Sequence, residues 1–317
     1  MIYMANEKIK NIIFDTDIGG DCDDTGALAL VHRCAEKGLC KLLCVTVSTS
    51  NPYSAGCADA INRWYNRVVP IGQTDKVIPG DDRAFFETCY GKHICENFEN
   101  DFYNTGKKPE NAVKLLRKTL SEASEKVTFI VIGSFVNVAE LLCSKPDEFS
   151  PLSGEELVKQ KVECFSVMGG HFPKEGDEEV WFGPEQMLAE CNIKVDIKSS
   201  KIFFEKCPVD CVISQFYVGW KMLTGNVLIE KERKNPVAES YFVHSHGNRS
   251  SWDLTSAYYA IFGTGSIFNL SCGGNVSVDD GGITTFTECA GGKVRLLECP
   301  STPAAAKRID EIIAGEI

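Results

Sequence analysis

The sequence predicts an α/β fold: a single domain over residues 1–317, built on a mostly parallel, doubly wound sheet with helices on both faces. Two observations carry this. Short apolar runs rich in β-branched residues alternate with longer amphipathic stretches, the pattern of strands buried on both faces by crossover helices. The chain of 317 residues is also 44% hydrophobic and 24% charged, enough to bury a large core and too mixed for a disordered or fibrous chain.

The elements follow in order. Asn11–Phe14 reads as a strand and Asp24–Ala35 as a helix; Lys41–Ser48 is the next strand, followed by a helix over Ala55–Arg67 and a short strand at Pro70–Gly72. Residues 75–108 carry Gly, Pro, Asp and aromatics without a sustained period, which predicts an excursion beside the sheet of the kind that carries substrate contacts. Regular order resumes with a helix at Glu110–Glu122, the strand Val127–Ile132 and a helix from Phe135 to Cys143. A strand at Val162–Met168 runs into Gly169-Gly170 and an irregular stretch to about Gln186, before another strand at Val209–Ile213. A helix at Trp252–Phe262, a Gly-rich β-like region at Gly273–Leu297 and a helix from Ala304 complete the chain.

Charge and composition exclude several classes. A net charge of −11 opposes phosphate backbones, so nucleic-acid partners are not expected. No run reaches the roughly 18 to 20 apolar residues of a membrane span, and the N-terminal MIYMANEKIK lacks the apolar stretch of a signal peptide, which predicts a cytoplasmic protein. The 15 cysteines are scattered and form no C-x-x-C pair; Cys40/Cys44 and Cys207/Cys211 are one residue too far apart. They read as free thiols, mostly small buried apolar residues.

The most informative segment is Asp15-Thr16-Asp17-Ile18-Gly19-Gly20-Asp21-Cys22-Asp23-Asp24, five carboxylates directly after the first strand. In open α/β sheets ligands bind at the carboxyl ends of strands. Carboxylates this close repel one another unless a cation neutralises them, and oxygen donors without His or Cys favour Ca²⁺ or Mg²⁺ over zinc. Helix capping by Asp23 and Asp24 accounts for only two of the five.

This segment, with Ala27-Leu28 after it, resembles the N-terminal signature of the inosine-uridine-type nucleoside hydrolases. Ile132-Gly133-Ser134-Phe135-Val136-Asn137-Val138-Ala139, Val167-Met168-Gly169-Gly170, Ala189-Glu190-Cys191-Asn192-Ile193-Lys194-Val195-Asp196 and Ser251-Trp252-Asp253 are similar to later blocks of that family, in the same order. The resemblance spans roughly residues 11 to 300. It implies one Ca²⁺ per subunit, with Mg²⁺ second, held by Asp17, Asp24, Asp253 and the carbonyl of Ile132. Asp17 would take the proton of the attacking water, and Asp23, Glu190 and Asn192 beside Met168 would receive the ribose hydroxyls. The implied reaction is hydrolysis of a ribonucleoside to base and ribose. Carboxylates suit it because breaking an N-glycosidic bond builds positive charge on the sugar. A homodimer or homotetramer is the implied assembly.

Three departures stand out. Gly20-Asp21-Cys22 separates Gly19 from Asp23-Asp24, two residues more than the family pattern, so Asp21 competes for a metal or sugar contact. Trp252 stands where well-studied members carry a base-protonating His; it can stack on the base, which leaves His244, His246 or solvent as the acid. The Gly-Asn pair after the second strand is replaced by Thr49-Ser50-Asn51, with Ser50 or Asn51 as the substitute contact.

Other residues carry less. His32 and His93 read as ordinary helix-face and loop residues, and His171 as a weak candidate at a strand end. Phe172, Trp181 and Phe182 could form a base-stacking lid or simply be buried. Two rival functions remain open: a nucleoside- or sugar-binding homologue without catalysis, and a haloacid-dehalogenase-like phosphohydrolase with Asp15 as nucleophile and Asp17 as acid.

Overall fold

The computed structural model describes residues 9–174, 177 and 189–316. Its strands are β1 (Lys10–Thr16), β2 (Cys40–Val47), β3 (Ile71–Gln73), β4 (Glu110–Asn111), β5 (Val127–Val131), β6 (Val162–Met168), β7 (Asp210–Ser214), β8 (Leu223–Thr224), β9 (Arg249–Ser250), β10 (Asn269–Leu270), β11 (Gly274–Val278), β12 (Thr284–Glu288) and β13 (Val294–Glu298). The main sheet runs β4-β3-β2-β1-β5-β6-β7-β13-β11-β12, with β10 paired to β13. Every pairing from β4 to β13 is parallel, and the pairs β13–β11, β11–β12 and β10–β13 are antiparallel.

The strands alternate their side chains between two apolar layers, because successive residues point to opposite faces. In β1, Ile12 and Phe14 join a layer with the helices Asp23–Glu36, Ser54–Trp64, Pro236–Ser245, Trp252–Phe262 and Thr302–Ile313. Ile13 joins Phe129, Phe165 and Phe203 on the other face, under the helices Ala112–Glu122, Val136–Cys143, Gly154–Lys161 and Ile197–Lys206. This is the doubly wound arrangement the apolar runs predict. Its strand order reverses at β1, which leads outward to β2 on one side and has β5 on the other, so a crevice opens between the carboxyl ends of β1 and β5.

The structure departs from the sequence reading in several segments. Residues 75–108 contain the short helices Arg83–Phe86, Tyr90–Asn97 and Asp101–Thr105, the first capped by the Asp82 side chain and the third by that of Asn100. The helices Gly154–Lys161 and Ile197–Lys206 fill stretches the reading leaves unassigned. The segment around His244 and His246 is the end of the helix Pro236–Ser245. Asn235 caps it, Pro236 opens it, and His246 is its left-handed C-cap at φ 55°. His93, expected in a loop, lies in Tyr90–Asn97 and bonds Glu239 at 2.9 Å. All fifteen cysteines are described and free; eight are buried, but Cys143, Cys191, Cys272 and Cys289 are exposed. No helix of the described residues is long and apolar enough to cross a membrane.

His32 is the ordinary helix residue the sequence suggests, fully buried and stacked on Tyr65 with ring centroids 4.9 Å apart. Its Nε2 meets Asn62 Oδ1 at 2.8 Å, and Nδ1 has no partner among the described residues. Burial therefore pushes its pKa down from 6.5 to about 4. The unfolded chain takes up this proton below pH 6.5 and the folded one only near pH 4, so the contribution to stability is complete above 6.5 and lost as the pH falls towards 4. Urea unfolding should show the wild type losing roughly 3 kcal/mol more than His32→Gln across that interval. Parallel curves for the two proteins would mean that His32 titrates normally in the fold.

Candidate active site

A cavity of about 420 Å³ opens at the carboxyl edge of the sheet. Residues just beyond five parallel strands line it: Asp17 after β1, Thr49 and Asn51 after β2, Ile132 after β5, Met168 at the end of β6 and Phe216 after β7. The close approach of β1 and β5 depends on Gly133, where an added Cβ would stand 2.5 Å from the backbone nitrogen of Asp17 and 2.4 Å from Ser48 Oγ. Backbone cannot yield as a flexible side-chain tip can.

Two helix N-termini deliver the acids. Asp23 and Asp24 occupy the first turn of Asp23–Glu36, and Asp253 the first turn of Trp252–Phe262. These helices pack together in one apolar layer, with Gly26 of the first set against Leu254 of the second. Neither Asp23 nor Asp24 is a cap; the N-cap is Cys22, without a side-chain cap bond. Instead oxygens of Asp23, Asp24 and Asp253 lie within 4.8 Å of one another, all buried. The backbone N–H of Asp253 donates to Asp23 at 3.0 Å, and the Thr16 hydroxyl donates to Asp24. Burial first, and then repulsion from neighbouring carboxylates, Asp21 and Asp17 among them, pushes all three well above the usual carboxylate range.

This donor set fits a hard divalent cation. The ligands are all oxygen, they converge from distant parts of the chain, and a bound cation would relieve the repulsion that now favours protonation. The carbonyl of Ile132, also at the cavity, accepts a hydrogen bond from Asn192 Nδ2 at 3.2 Å.

Asp17 lines the same cavity but stands outside the trio. Burial, joined by the charges of Asp81, Glu190 and Asp21, raises its pKa to about 7. Glu190 is raised to about 7 by burial even though it accepts the N–H groups of Gly170 (3.0 Å), Asn192 (2.9 Å) and Ile193 (3.3 Å). Asn192 in turn reaches Met168, its Nδ2 lying 3.1 Å from Sδ. Asp23, Met168, Glu190, Asn192, Asn51 and Trp252 all border the cavity, as the sequence leads one to expect.

Other expected residues are placed elsewhere. Ser50 is outside the lining, and its N–H and O–H both donate to Asp81, at 2.7 and 2.6 Å. His246 is an exposed C-cap, and His244 turns towards Asp21 at 3.3 Å, so neither borders the cavity. Asp21, supplied by the two extra residues, borders the cavity but stands outside the trio. It pairs with Arg249, and although burial opposes this, the hydrogen bonds from His244 and Arg249 bring its pKa down to about 2. Asp15 is fully buried behind the site, where Thr46 (2.5 Å) and Asn137 (2.7 Å) donate to it; it does not border the cavity and is out of reach as a nucleophile. His171 packs edge-on against Phe216 at 5.8 Å, outside the cavity lining. Phe172 is buried against Phe286, and the lid residues Trp181 and Phe182 lie outside the described residues.

The sequence reading did not single out Asp81, Asp82, Phe85, Phe86, Phe216 and Arg249, all of which border the cavity. Phe216 was within reach of the rule that ligands gather at strand ends, since β7 stops at Ser214. The Asp81–Phe86 group comes from the excursion, whose folding back over the crevice has no local signal.

The inosine-uridine preferring nucleoside hydrolase family model matches residues 12–266. The chain belongs to that family. Among solved structures it is similar to the inosine-uridine preferring nucleoside hydrolase from Bacillus anthracis, with 17% identity and a TM-score of 0.73 over 97% of this chain and 100% of that one. It is similar too to a purine-preferring ribonucleoside hydrolase from Gardnerella vaginalis, with 16% identity and a TM-score of 0.71 over 96% and 98%. A third structure, the type III effector protein XopQ complexed with adenosine diphosphate ribose, has 13% identity and a TM-score of 0.73 over 97% and 94%. No curated protein matches the sequence. Structures with this fold are thus described both as hydrolases and as an effector.

If Gly133 sets the separation of the two strand ends, Gly133→Ala should cost about 1–3 kcal/mol in urea unfolding, the usual range for overpacking. Unchanged stability would show that the crevice can open without cost.

Proposed function

We infer that the protein hydrolyses the N-glycosidic bond of ribonucleosides, releasing free base and ribose, with Ca²⁺ as its metal. The convergence of Asp23, Asp24 and Asp253 at one end of a cavity of nucleoside size carries this reading. Asp24, Asp253 and the Ile132 carbonyl would hold the cation, with Asp17 beside them. Bound there, a divalent cation acidifies a water and orients a hydroxyl pair.

The chain's own residues supply the rest. Asp17, in the cavity lining, is placed to accept the proton of the attacking water at a carboxylate oxygen. Glu190, fixed by three backbone N–H groups, and Asn192 beside Met168 present acceptor and donor atoms to the ribose hydroxyls. Asp23 faces the same region. Their negative charge stabilises the sugar as it becomes cationic. Phe216 and Trp252, ring centroids 5.6 Å apart, provide an apolar wall for the base.

Reducing-sugar release over a panel of purine and pyrimidine nucleosides, with and without chelator, tests the reaction. Ribose should appear only in the presence of metal, and Asp17→Asn should lower the rate by about 10²–10⁴-fold, the range for a general base. Near-normal turnover by that variant would remove the assigned base.

Metal binding has its own readout. Ca²⁺ at a hundred times its dissociation constant should stabilise the fold by about 2.7 kcal/mol, and Asp253→Asn should abolish the shift in melting temperature. A melting temperature indifferent to Ca²⁺ in the wild type would count against the site.

A second reading is a nucleoside- or sugar-binding homologue without turnover. It is favoured by the effector structure holding adenosine diphosphate ribose and by the absence of histidine from the cavity lining among the described residues. Metal-dependent nucleoside binding without ribose release would select it.

A further inference from the structure

We propose that Arg249, fixed by Asp21, is the donor that carries the charge of the departing base, and that it selects bases presenting two adjacent hydrogen-bond acceptors. This rests on the hydrolysis reading above. Among the described residues Arg249 is the one cationic side chain lining the cavity. Asp21 binds it along one edge, with Nε at 2.9 Å from Oδ1 and Nη2 at 2.5 Å from Oδ2. His244 backs Asp21 from the other side at 3.3 Å. This side-on grip leaves the end of the guanidinium, Nη1 and the second N–H of Nη2, without a protein partner among the described residues. The group lies over the Trp252 ring with Cζ 5.0 Å from its centroid, beside the apolar wall assigned to the base.

The chemistry needs such a group. When the bond between C1′ and the base nitrogen breaks, its electron pair goes to the base. Water adds to C1′ and gives its proton to Asp17, while the base takes a proton from solvent. Until that proton arrives the base is anionic. A guanidinium keeps its own protons but donates charge-assisted hydrogen bonds, which are among the stronger ones. Tryptophan at position 252 offers no such proton or charge, and its indole N–H is already given to the Phe216 carbonyl at 3.0 Å. Asp21 is a positioning residue in this scheme: it spends the side edge of the guanidinium and so aims the forked end. That fork matches the paired N7 and O6 acceptors of a 6-oxopurine, whereas the 6-amino group of adenine sets a donor against a donor.

The test compares inosine, adenosine and p-nitrophenyl β-ribofuranoside, whose leaving group is stable as an anion and needs no help. Arg249→Lys keeps the charge and loses the fork. The double variant Asp21→Asn/Arg249→Gln removes both charges together, leaving no orphaned carboxylate. Both should lose about 100-fold in kcat/KM on inosine, as when an oxyanion donor is removed, and less than about threefold on the p-nitrophenyl riboside. The wild-type preference for inosine over adenosine should narrow in both. Asp21→Asn alone should show the same substrate-selective loss at smaller size, about tenfold, which a merely structural role would not produce.

Equal losses on inosine and the p-nitrophenyl riboside in both variants overturn the role of Arg249, while leaving the hydrolysis reading in place. An unchanged inosine-to-adenosine ratio overturns the base selection. A wild type that releases sugar from none of the three overturns the hydrolysis reading and this proposal with it.

Discussion

The burial of three like charges at one point is the constraint around which the rest of this structure is arranged. Asp23, Asp24 and Asp253 are almost wholly removed from water, and burial together with the surrounding carboxylates makes each harder to ionise. An isolated cluster of this kind would cost several kcal/mol per charge. Two features of the fold offset that cost before any cation arrives. Both helices that carry the acids present their N-terminal ends to the cluster, where the helix dipole favours negative charge. The backbone N–H of Asp253 and the hydroxyl of Thr16 also donate directly to the acids. The packing of the two helices on each other therefore sets the geometry of the metal-type site, and the sheet beneath them sets its depth.

The same constraint explains which acids are outside the trio. Asp15 alternates to the opposite face of β1, where Thr46 and Asn137 satisfy one of its oxygens. Asp21 is drawn off by Arg249. Asp17, at the turn after β1, remains within electrostatic reach of Asp81 and Glu190 without joining the close group. The five-acid run is thus divided by period and pairing into a structural acid, a cavity acid, an ion-paired acid and two members of the buried trio.

Much of this was legible in the chain. The strands that build the sheet are short apolar runs with both faces buried, and such runs announce themselves without tertiary information; Val127–Val131 and Val162–Met168 are examples. The short helices of the 75–108 segment were not legible, because four to eight residues span too few turns to show a period. Their caps at Asp82 and Asn100 were visible in the sequence but had no apolar stripe to support them. The Asn235-Pro236 pair that opens the helix Pro236–Ser245 is likewise a start signal present in the sequence. In the site, the identity of the acids was readable but their partition was not. With two extra residues after Gly19, Asp21 competed with Asp23 on paper; Arg249, from 228 positions away, pairs with Asp21, while the Asp253 N–H donates to Asp23.

That separation has a consequence for how such a site can change. The extra residues before Asp23 lie on the rim, in a turn that ends at the helix N-cap Cys22. A carboxylate placed there can recruit a guanidinium from the strand β9 that precedes Trp252 without displacing Asp23, Asp24 or Asp253, since the two groups of acids have different partners. The trio and the Asp21–Arg249 pair are therefore held by different interactions: helix ends and direct hydrogen bonds for the first, an ion pair beside an aromatic ring for the second. Substitution of Asp21 or Arg249 would reach the trio through Asp23, whose pKa Asp21 raises and Arg249 lowers.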